Sequence, residues 1–163
     1  MIEIISHIVL ISLLGISFYQ DWKYRAIHWI IFPLLLITAG FLFWNSYMPL
    51  ETVLFNLVFL SVVIACLFLY ISFKRGGLTN IFKSDLGLGD VLFLIAVAPL
   101  FVDRNYILFF ITGMIISGVL HLILFANKQS TKIPLAGYLA LYLIGLKGID
   151  LFLYNDLFYT PIL

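Results

Sequence analysis

Charged residues are scarce in this chain: only 10% of its 163 residues are Asp, Glu, Lys or Arg, whereas 64% are hydrophobic. A soluble domain carries roughly 25% charged residues. This deficit excludes an ordinary soluble fold and indicates an integral membrane protein. The formal net charge is only +1, and no basic patch is large enough to follow a phosphate backbone, so we expect no nucleic-acid partner.

Cysteine is almost absent. Cys66 is the single cysteine of the chain, which excludes an internal disulfide and a CxxC metal motif, and we expect it to be a small core residue. His7 and His121 stand singly in apolar runs and lack the spacing of metal ligands. We therefore expect no metal site and no cofactor.

Long apolar runs are abundant, and a helix needs about 20 such residues to cross the hydrocarbon core. The first run lacks a preceding basic region, which favours a retained span over a cleaved signal peptide. The sequence predicts an all-α, polytopic helical bundle that forms a single domain over residues 1–163. Its six predicted transmembrane helices are Ile4–Gln20, Ile27–Trp44, Leu50–Phe73, Leu88–Val102, Tyr106–Ala126 and Pro134–Leu153.

Basic residues are concentrated in the loops that follow the odd-numbered spans. Those loops contain Lys23, Arg25, Lys74, Arg75, Lys83, Lys128 and Lys132, whereas the opposite side has only Arg104 and Lys147. Positively charged loops stay in the cytoplasm. The sequence therefore predicts that the N-terminus lies outside and that the three basic loops are cytoplasmic.

Two acids lie at the predicted cytoplasmic border of apolar helices. Asp21 ends the first span, and Asp90 opens the fourth span just after Gly87 and Gly89. Glycines let neighbouring helices approach closely, and acids within membrane segments usually mark functional sites. Topology alone brings Asp21 and Asp90 to the same side of the membrane at a similar depth.

Two adjacent carboxylates can share one proton, because both cannot ionise cheaply in a low-dielectric site. One can then take a proton from water while the other donates a proton to a peptide carbonyl. Other interpretations stay open: Asp21 can be a loop residue paired with Lys23 or Arg25, and Asp90 can line an ion path. Asp85 is the rival second acid, and we prefer it as a cap of the fourth span or as a contact for a basic substrate.

Three elements together resemble the type IV prepilin peptidases, which are membrane aspartyl proteases. Residues 87–90, Gly-Leu-Gly-Asp, match the G-x-G-D motif of that family. Residues 21–27, Asp-Trp-Lys-Tyr-Arg-Ala-Ile, resemble its other aspartate motif, and residues 132–138, Lys-Ile-Pro-Leu-Ala-Gly-Tyr, resemble its late K-x-I-P element. G-x-G-D alone is weak, but the three elements occur in the right order and cover most of the chain.

The resemblance implies that Asp21 and Asp90 are catalytic and that the protein cleaves the basic leader from pilin-like precursors, generally just after a glycine. It places the protein in the inner (cytoplasmic) membrane, with its site on the cytoplasmic face and with the lipid bilayer and the precursors as partners. The residues that shape the site would be Gly87, Gly89, Ile133 and Pro134. The candidate substrate contacts are Asp85, Lys23, Arg25 and His28.

The chain departs from the family pattern at three places. Leu135 and Tyr138 stand where the late element of the family has a phenylalanine and a second proline. His28-Trp29 stands where members often have Pro-Asn, and Leu92 replaces a lysine that often follows the second aspartate. The cysteine-rich domain that larger members use for N-methylation is missing, so we expect a short member with peptidase activity only. The alternatives are a related G-x-G-D protease acting on signal peptides or other membrane segments, and a non-catalytic scaffold or transporter subunit.

Overall fold

The computed structural model describes residues 2–75, 87–125, 133–153 and 158, and within these ranges every regular element is a helix. The predicted all-α class is therefore confirmed for the described part of the chain. Its elements are α1 (Ile2–Tyr24), α2 (Ile31–Asn45), α3 (Leu50–Arg75), α4 (Leu88–Val97) followed by a 3₁₀ turn (Ala98–Leu100), α5 (Asp103–Phe125) and α6 (Leu135–Leu153).

Three of these helices are long and apolar enough to cross a membrane. They cover Ile4–Tyr24, Leu50–Lys74 and Asp103–Leu124, with lengths of 21, 25 and 22 residues. These lengths match the roughly 20 residues that a hydrocarbon core requires. α2 and the segment formed by α4 and its 3₁₀ turn are shorter apolar helices. The architecture is that of a helical membrane protein, while the count of six spans stays a prediction.

The first inter-helix connection differs from the prediction. α1 ends at Tyr24 and α2 begins at Ile31, whereas the sequence predicted boundaries at residues 20 and 27. Arg25 has φ 56°, a left-handed conformation that commonly ends a helix. The Gln20 side-chain oxygen then accepts a hydrogen bond from the His28 N–H at 2.8 Å. The residues before Ile31 therefore follow a hydrogen-bonded turn instead of continuing α2.

The core lies between the inner faces of four helices. α1 packs against α2 and α6, and α4 packs against the same two helices. The interior is filled by side chains with no exposed surface, among them Leu10, Leu14, Leu35, Phe93, Leu139 and Leu143. The outward faces are also apolar: Val58, Val62 and Ile115 are more than half exposed. An apolar exterior of this kind suits contact with lipid.

The expectation that Cys66 belongs to the core is wrong, because its side chain is exposed. The reason is the peripheral position of α3. This helix packs mainly on α5 and on the 3₁₀ turn, so only 11% of its most apolar stretch is buried. A small apolar residue on such a helix faces outward and contributes nothing to the interior.

The last helix turns a polar face inward. Lys147 is 1% exposed and its Nζ donates to Asp150 Oδ2 at 2.9 Å. The same ammonium lies 3.8 Å from the ring centroid of Phe158, where it is stabilised by the negative face of the ring. The two charges therefore do not end the helix, and α6 continues to Leu153.

A buried asparagine fixes the end of α4. The Asn56 side-chain amide of α3 donates to the Ala98 carbonyl at 3.0 Å and to the Phe101 carbonyl at 2.9 Å. Asn56 is fully buried. The two carbonyls belong to the 3₁₀ turn and to the residue that follows it, where the α-helical hydrogen-bond ladder has ended. Asn56 therefore supplements the single long backbone bond at this end, from the Phe101 N–H to the Ala98 carbonyl at 3.5 Å.

Asn56→Leu is expected to lower the free energy of unfolding by about 1–3 kcal/mol. The Phe101 carbonyl would lose its Asn56 donor in an apolar interior, and the Ala98 carbonyl would keep only the longer bond from the Phe101 N–H at 3.5 Å. The midpoint of thermal unfolding of the purified protein in detergent measures this loss. Ser61→Ala is the matched control on the same helix. The exposed Ser61 hydroxyl only donates to the Leu57 carbonyl of α3 itself, and its removal should change stability by less than about 0.5 kcal/mol. Equal shifts in the two variants would contradict this role.

Candidate active site

Asp21 lies in the last turn of α1 and is largely buried, with 7% of its surface exposed. Its Oδ2 accepts a hydrogen bond from the Gly137 backbone N–H at 2.7 Å. Asp21 is therefore tied to α6, which is the helix that packs most closely against α1. The sequence allowed a reading of this acid as a loop residue, but it is part of a helix and faces the interior of the bundle.

Asp90 lies in the first turn of α4 and is half-buried. Its Oδ1 accepts a hydrogen bond from the Ala136 backbone N–H at 2.9 Å. The same carboxylate is hydrogen-bonded by the backbone of Gly87, which is the N-cap residue of α4. A side chain in the first turn that bonds the N-cap backbone is half of a capping box, so Asp90 holds the start of its own helix and the start of α6.

Both carboxylates converge on the N-terminus of α6. The Pro134 carbonyl accepts from the Tyr138 N–H at 3.1 Å, so Pro134 is the N-cap of α6 and the next residues form its first turn. The N–H groups of a first turn have no partner within the helix, and a proline side chain cannot accept a hydrogen bond. The Ala136 and Gly137 N–H groups receive their acceptors from the two aspartates instead.

The two acids lie side by side as a result. Consecutive Cα atoms are about 3.8 Å apart, so carboxylates bound to consecutive amides of one helix turn are neighbours. Asp21 is accordingly one of the groups that act electrostatically on Asp90. The positive end of the α6 dipole points at both of them and stabilises negative charge there.

Three glycines differ in how they leave room for this pair. A Cβ atom on Gly87 would lie 2.6 Å from Asp90 Oδ2, and one on Gly137 would lie 3.1 Å from Asp21 Oδ2. A Cβ on Gly89 would meet only Phe32, at 3.7 Å, which is ordinary contact. The sequence attributed Gly87 to close helix approach, but its absent side chain makes space for the Asp90 carboxylate.

The basic residues of the first connection take different positions. Lys23 is exposed, and its Nζ donates to the Tyr19 hydroxyl at 2.9 Å. His28 is exposed and stacks on Trp29 at 6.3 Å between ring centroids. Arg25 is half-buried and acts electrostatically on Asp21. Of these three candidate substrate contacts, only Arg25 is therefore brought close to the pair.

The late element is brought to the site. The Ile133 carbonyl accepts from the Leu135 N–H at 2.9 Å, which gives a tight turn directly before α6. The Ile133 side chain is half exposed, whereas Pro134 is buried. Asp85 lies outside the described residues, as do Lys83, Lys128 and Lys132. The N-cap position of α4, for which Asp85 was a candidate, is occupied by Gly87.

Sequence reasoning overlooked Ala136 and Gly137 as site residues. Both belong to the late element, residues 132–138. They contribute backbone N–H groups, however, and side-chain chemistry does not reveal these. A signal was nevertheless present. Proline at the start of an apolar run predicts a helix N-terminus, and the first N–H groups of any helix have no partner within it.

The chain was compared with known proteins in three ways, and no family model, curated protein or solved structure matches it. The resemblance to the prepilin peptidases therefore depends on the three sequence motifs. Within the described ranges, no three His, Cys, Asp or Glu side chains are grouped so that they could hold a metal ion. The groups that the described residues bring to this site are two carboxylates and the backbone amides of α6.

Proposed function

We propose that this chain is a membrane aspartyl peptidase of the prepilin type, which removes a basic leader from pilin-like precursors. The observation that carries the proposal is the binding of Asp21 Oδ2 and Asp90 Oδ1 to consecutive amides at the start of α6, at 2.7 and 2.9 Å. Two acids that lie far apart in the sequence, at positions 21 and 90, are thereby held as a pair.

A purely structural cap would not need this arrangement. Serine, threonine or asparagine satisfies the orphan N–H groups of a helix as well as aspartate does, and a neutral cap avoids the repulsion between two carboxylates. Two acids at one partly buried helix end favour a state in which one is ionised and the other protonated. That state is what general acid–base catalysis by an aspartate pair requires.

The reaction follows from these protonation states of the two aspartates. The ionised aspartate takes a proton from a water molecule, whose oxygen attacks the carbonyl carbon of the scissile peptide bond. The protonated aspartate donates its proton to the carbonyl oxygen, giving a tetrahedral intermediate. The C–N bond then breaks as the leaving nitrogen receives a proton, so one peptide and one water give a carboxylic acid and an amine. A carboxylate can accept about four hydrogen bonds, so an amide contact leaves capacity for the water.

The proposal includes a topology. The C-terminal end of α1 and the N-terminal ends of α4 and α6 meet at the site, and the excess of basic residues in the loops on that side supports a cytoplasmic position. We accordingly propose six spans with the N-terminus outside and an active site at the cytoplasmic face of the inner membrane. Residues 1–163 would together form one peptidase domain.

Cleavage by the purified full-length chain in detergent tests this function. The substrate is a synthetic precursor with a basic leader, a glycine before the cleavage site and an apolar segment after it. We expect two products with a single cut after the glycine, identified by mass spectrometry. A precursor with the leader lysines and arginines replaced by serine is the control and should be cut more slowly.

The outcomes separate the competing functions. Equal cleavage of both peptides would favour the alternative of a G-x-G-D protease acting on other membrane or signal peptides. No cleavage of either peptide, with the fold intact by circular dichroism, would contradict the peptidase and leave the non-catalytic scaffold or transporter subunit.

A further inference from the structure

Tyr138 places a buried hydroxyl group beside the aspartate pair. Its side chain is 1% exposed, and among the described residues its Oη has no hydrogen-bond partner. The other fully buried or half-buried tyrosines of α5 and α6 behave differently. The Tyr106 hydroxyl donates to the Leu94 carbonyl at 3.1 Å, and the Tyr142 hydroxyl is 2.9 Å from Thr112 Oγ1.

The position of Tyr138 connects it to the site. It follows Gly137, the residue whose amide holds Asp21, and its hydroxyl lies within the electrostatic range of Asp21 and Arg25. Its ring meets the Trp22 ring edge-on at 6.0 Å between centroids. On the other side, the His121 ring of α5 is 6.5 Å away.

An unpartnered buried hydroxyl costs free energy that a phenylalanine in the same place would avoid. The cost is recovered if the hydroxyl finds a partner when the protein works. The described part of the site is rich in acceptors, namely the carboxylate oxygens, while the Ala136 and Gly137 amides are already used as donors. The protonated aspartate serves the scissile carbonyl, so a second peptide carbonyl that enters the site needs another donor, and the Tyr138 O–H is one.

Trp22 packs on the Tyr138 ring from the outer side of the bundle. It stands near the C-terminal end of α1 and is 40% exposed, so its side chain lies between solvent and the Tyr138 ring. Trp22 is also the neighbour of Asp21 in the chain, so the space that its side chain occupies adjoins the reacting carboxylates.

We propose that the Tyr138 hydroxyl is a substrate-positioning group that donates a hydrogen bond to a backbone carbonyl oxygen of the precursor, next to the scissile bond, once the Trp22 side chain has turned aside. This inference rests on the proposed peptidase function. The ligand class is an extended peptide, which offers a carbonyl acceptor at every residue.

Two Tyr→Phe variants on α6 test this proposal, because one should lose activity without losing stability and the other should lose stability without losing activity. Tyr138→Phe should lower kcat/KM for the precursor roughly three- to thirtyfold, through a raised KM. Its thermal midpoint should be unchanged or higher, because no hydrogen bond of the unliganded fold is lost. Tyr142→Phe should keep kcat/KM within about twofold, and its thermal midpoint should fall because it loses the bond to Thr112.

A binding measurement separates positioning from chemistry. In the Asp90→Asn background, which holds the substrate without cutting it, adding Tyr138→Phe should weaken precursor binding by the same factor as the rise in KM. Wild-type cleavage that depends on both aspartates but is indifferent to Tyr138→Phe overturns this inference alone. A thermal midpoint that falls in Tyr138→Phe together with activity also overturns it, since the hydroxyl would then be structural. Absence of any wild-type cleavage removes both the function and this role.

Discussion

Asp21→Asn and Asp90→Asn are each expected to abolish precursor cleavage while the fold is retained. Asparagine keeps a side-chain oxygen that can accept from the α6 amide, so the contacts to Gly137 and Ala136 survive in the respective variants. What is lost is proton transfer by the substituted side chain, because an amide neither takes nor gives a proton near neutral pH. We expect the rate to fall by roughly 10²–10⁴-fold, measured by product formation with matched protein concentrations and unchanged thermal midpoints.

The pair should behave as a single unit. The double variant Asp21→Asn/Asp90→Asn is expected to be no slower than either single variant, because residues that act together give non-additive losses. Asp103→Asn is the matched control: Asp103 is also an acid in the first turn of a membrane helix, at the start of α5, and it should leave cleavage unchanged. Substantial activity in either single variant would refute the assignment of the two acids.

Gly87→Ala should inactivate the protein almost as completely, although it removes no reactive group. The Cβ atom would lie 2.6 Å from Asp90 Oδ2, closer than van der Waals contact allows, so the carboxylate must leave the position in which it accepts from the Ala136 N–H. The backbone of Gly87, at φ −69° and ψ 127°, suits alanine, so among the described residues the conflict is a steric one with Asp90. Misplacement of a catalytic group by about 1 Å can cost roughly a hundredfold in rate, and initial-rate measurements detect such a loss.

Other glycines provide the matched series. Gly137→Ala places Cβ 3.1 Å from Asp21 Oδ2 and should also impair cleavage, whereas a Cβ on Gly145, two turns further along α6, meets nothing within 4 Å. Gly89→Ala makes only ordinary contact with Phe32. The Gly89 and Gly145 variants should remain active and gain up to about 1 kcal/mol of stability from the better helix propensity of alanine. Inactivation by Gly89→Ala with full activity in Gly87→Ala would reverse the assigned roles.

Hydropathy and charge were sufficient to predict an all-helical membrane protein, because the apolar runs reflect the bilayer requirement directly. The pairing of Asp21 with Asp90 could also be anticipated, since alternating spans bring the end of α1 and the start of α4 to one side. The tie to α6 could not, because it consists of backbone N–H groups that meet acids far away in the chain. Such contacts depend on packing and have no sequence period.

The boundaries between α1 and α2 were harder to predict from the sequence for a similar reason. The delayed start of α2 depends on the Gln20 side chain reaching the His28 backbone and on Arg25 adopting a left-handed conformation. Neither glutamine nor arginine predicts this behaviour, since left-handed conformations are usually adopted by glycine or asparagine. The exposure of Cys66 likewise depends on which helix is peripheral, and hydropathy cannot distinguish a lipid-facing surface from a buried one.

The shortness of α4 has a consequence for the surrounding lipid. Its ten residues and three-residue 3₁₀ turn rise roughly 15 Å and roughly 6 Å, which falls short of the ~30 Å hydrocarbon core. Leu88 and Leu92 are exposed on this helix and would face acyl chains. A bilayer adapts to such hydrophobic mismatch by thinning locally, at fractions of a kcal/mol per Å. Around α4 the headgroup level would then sink toward Asp90, and a charged leader could approach the carboxylates without entering the thick part of the membrane.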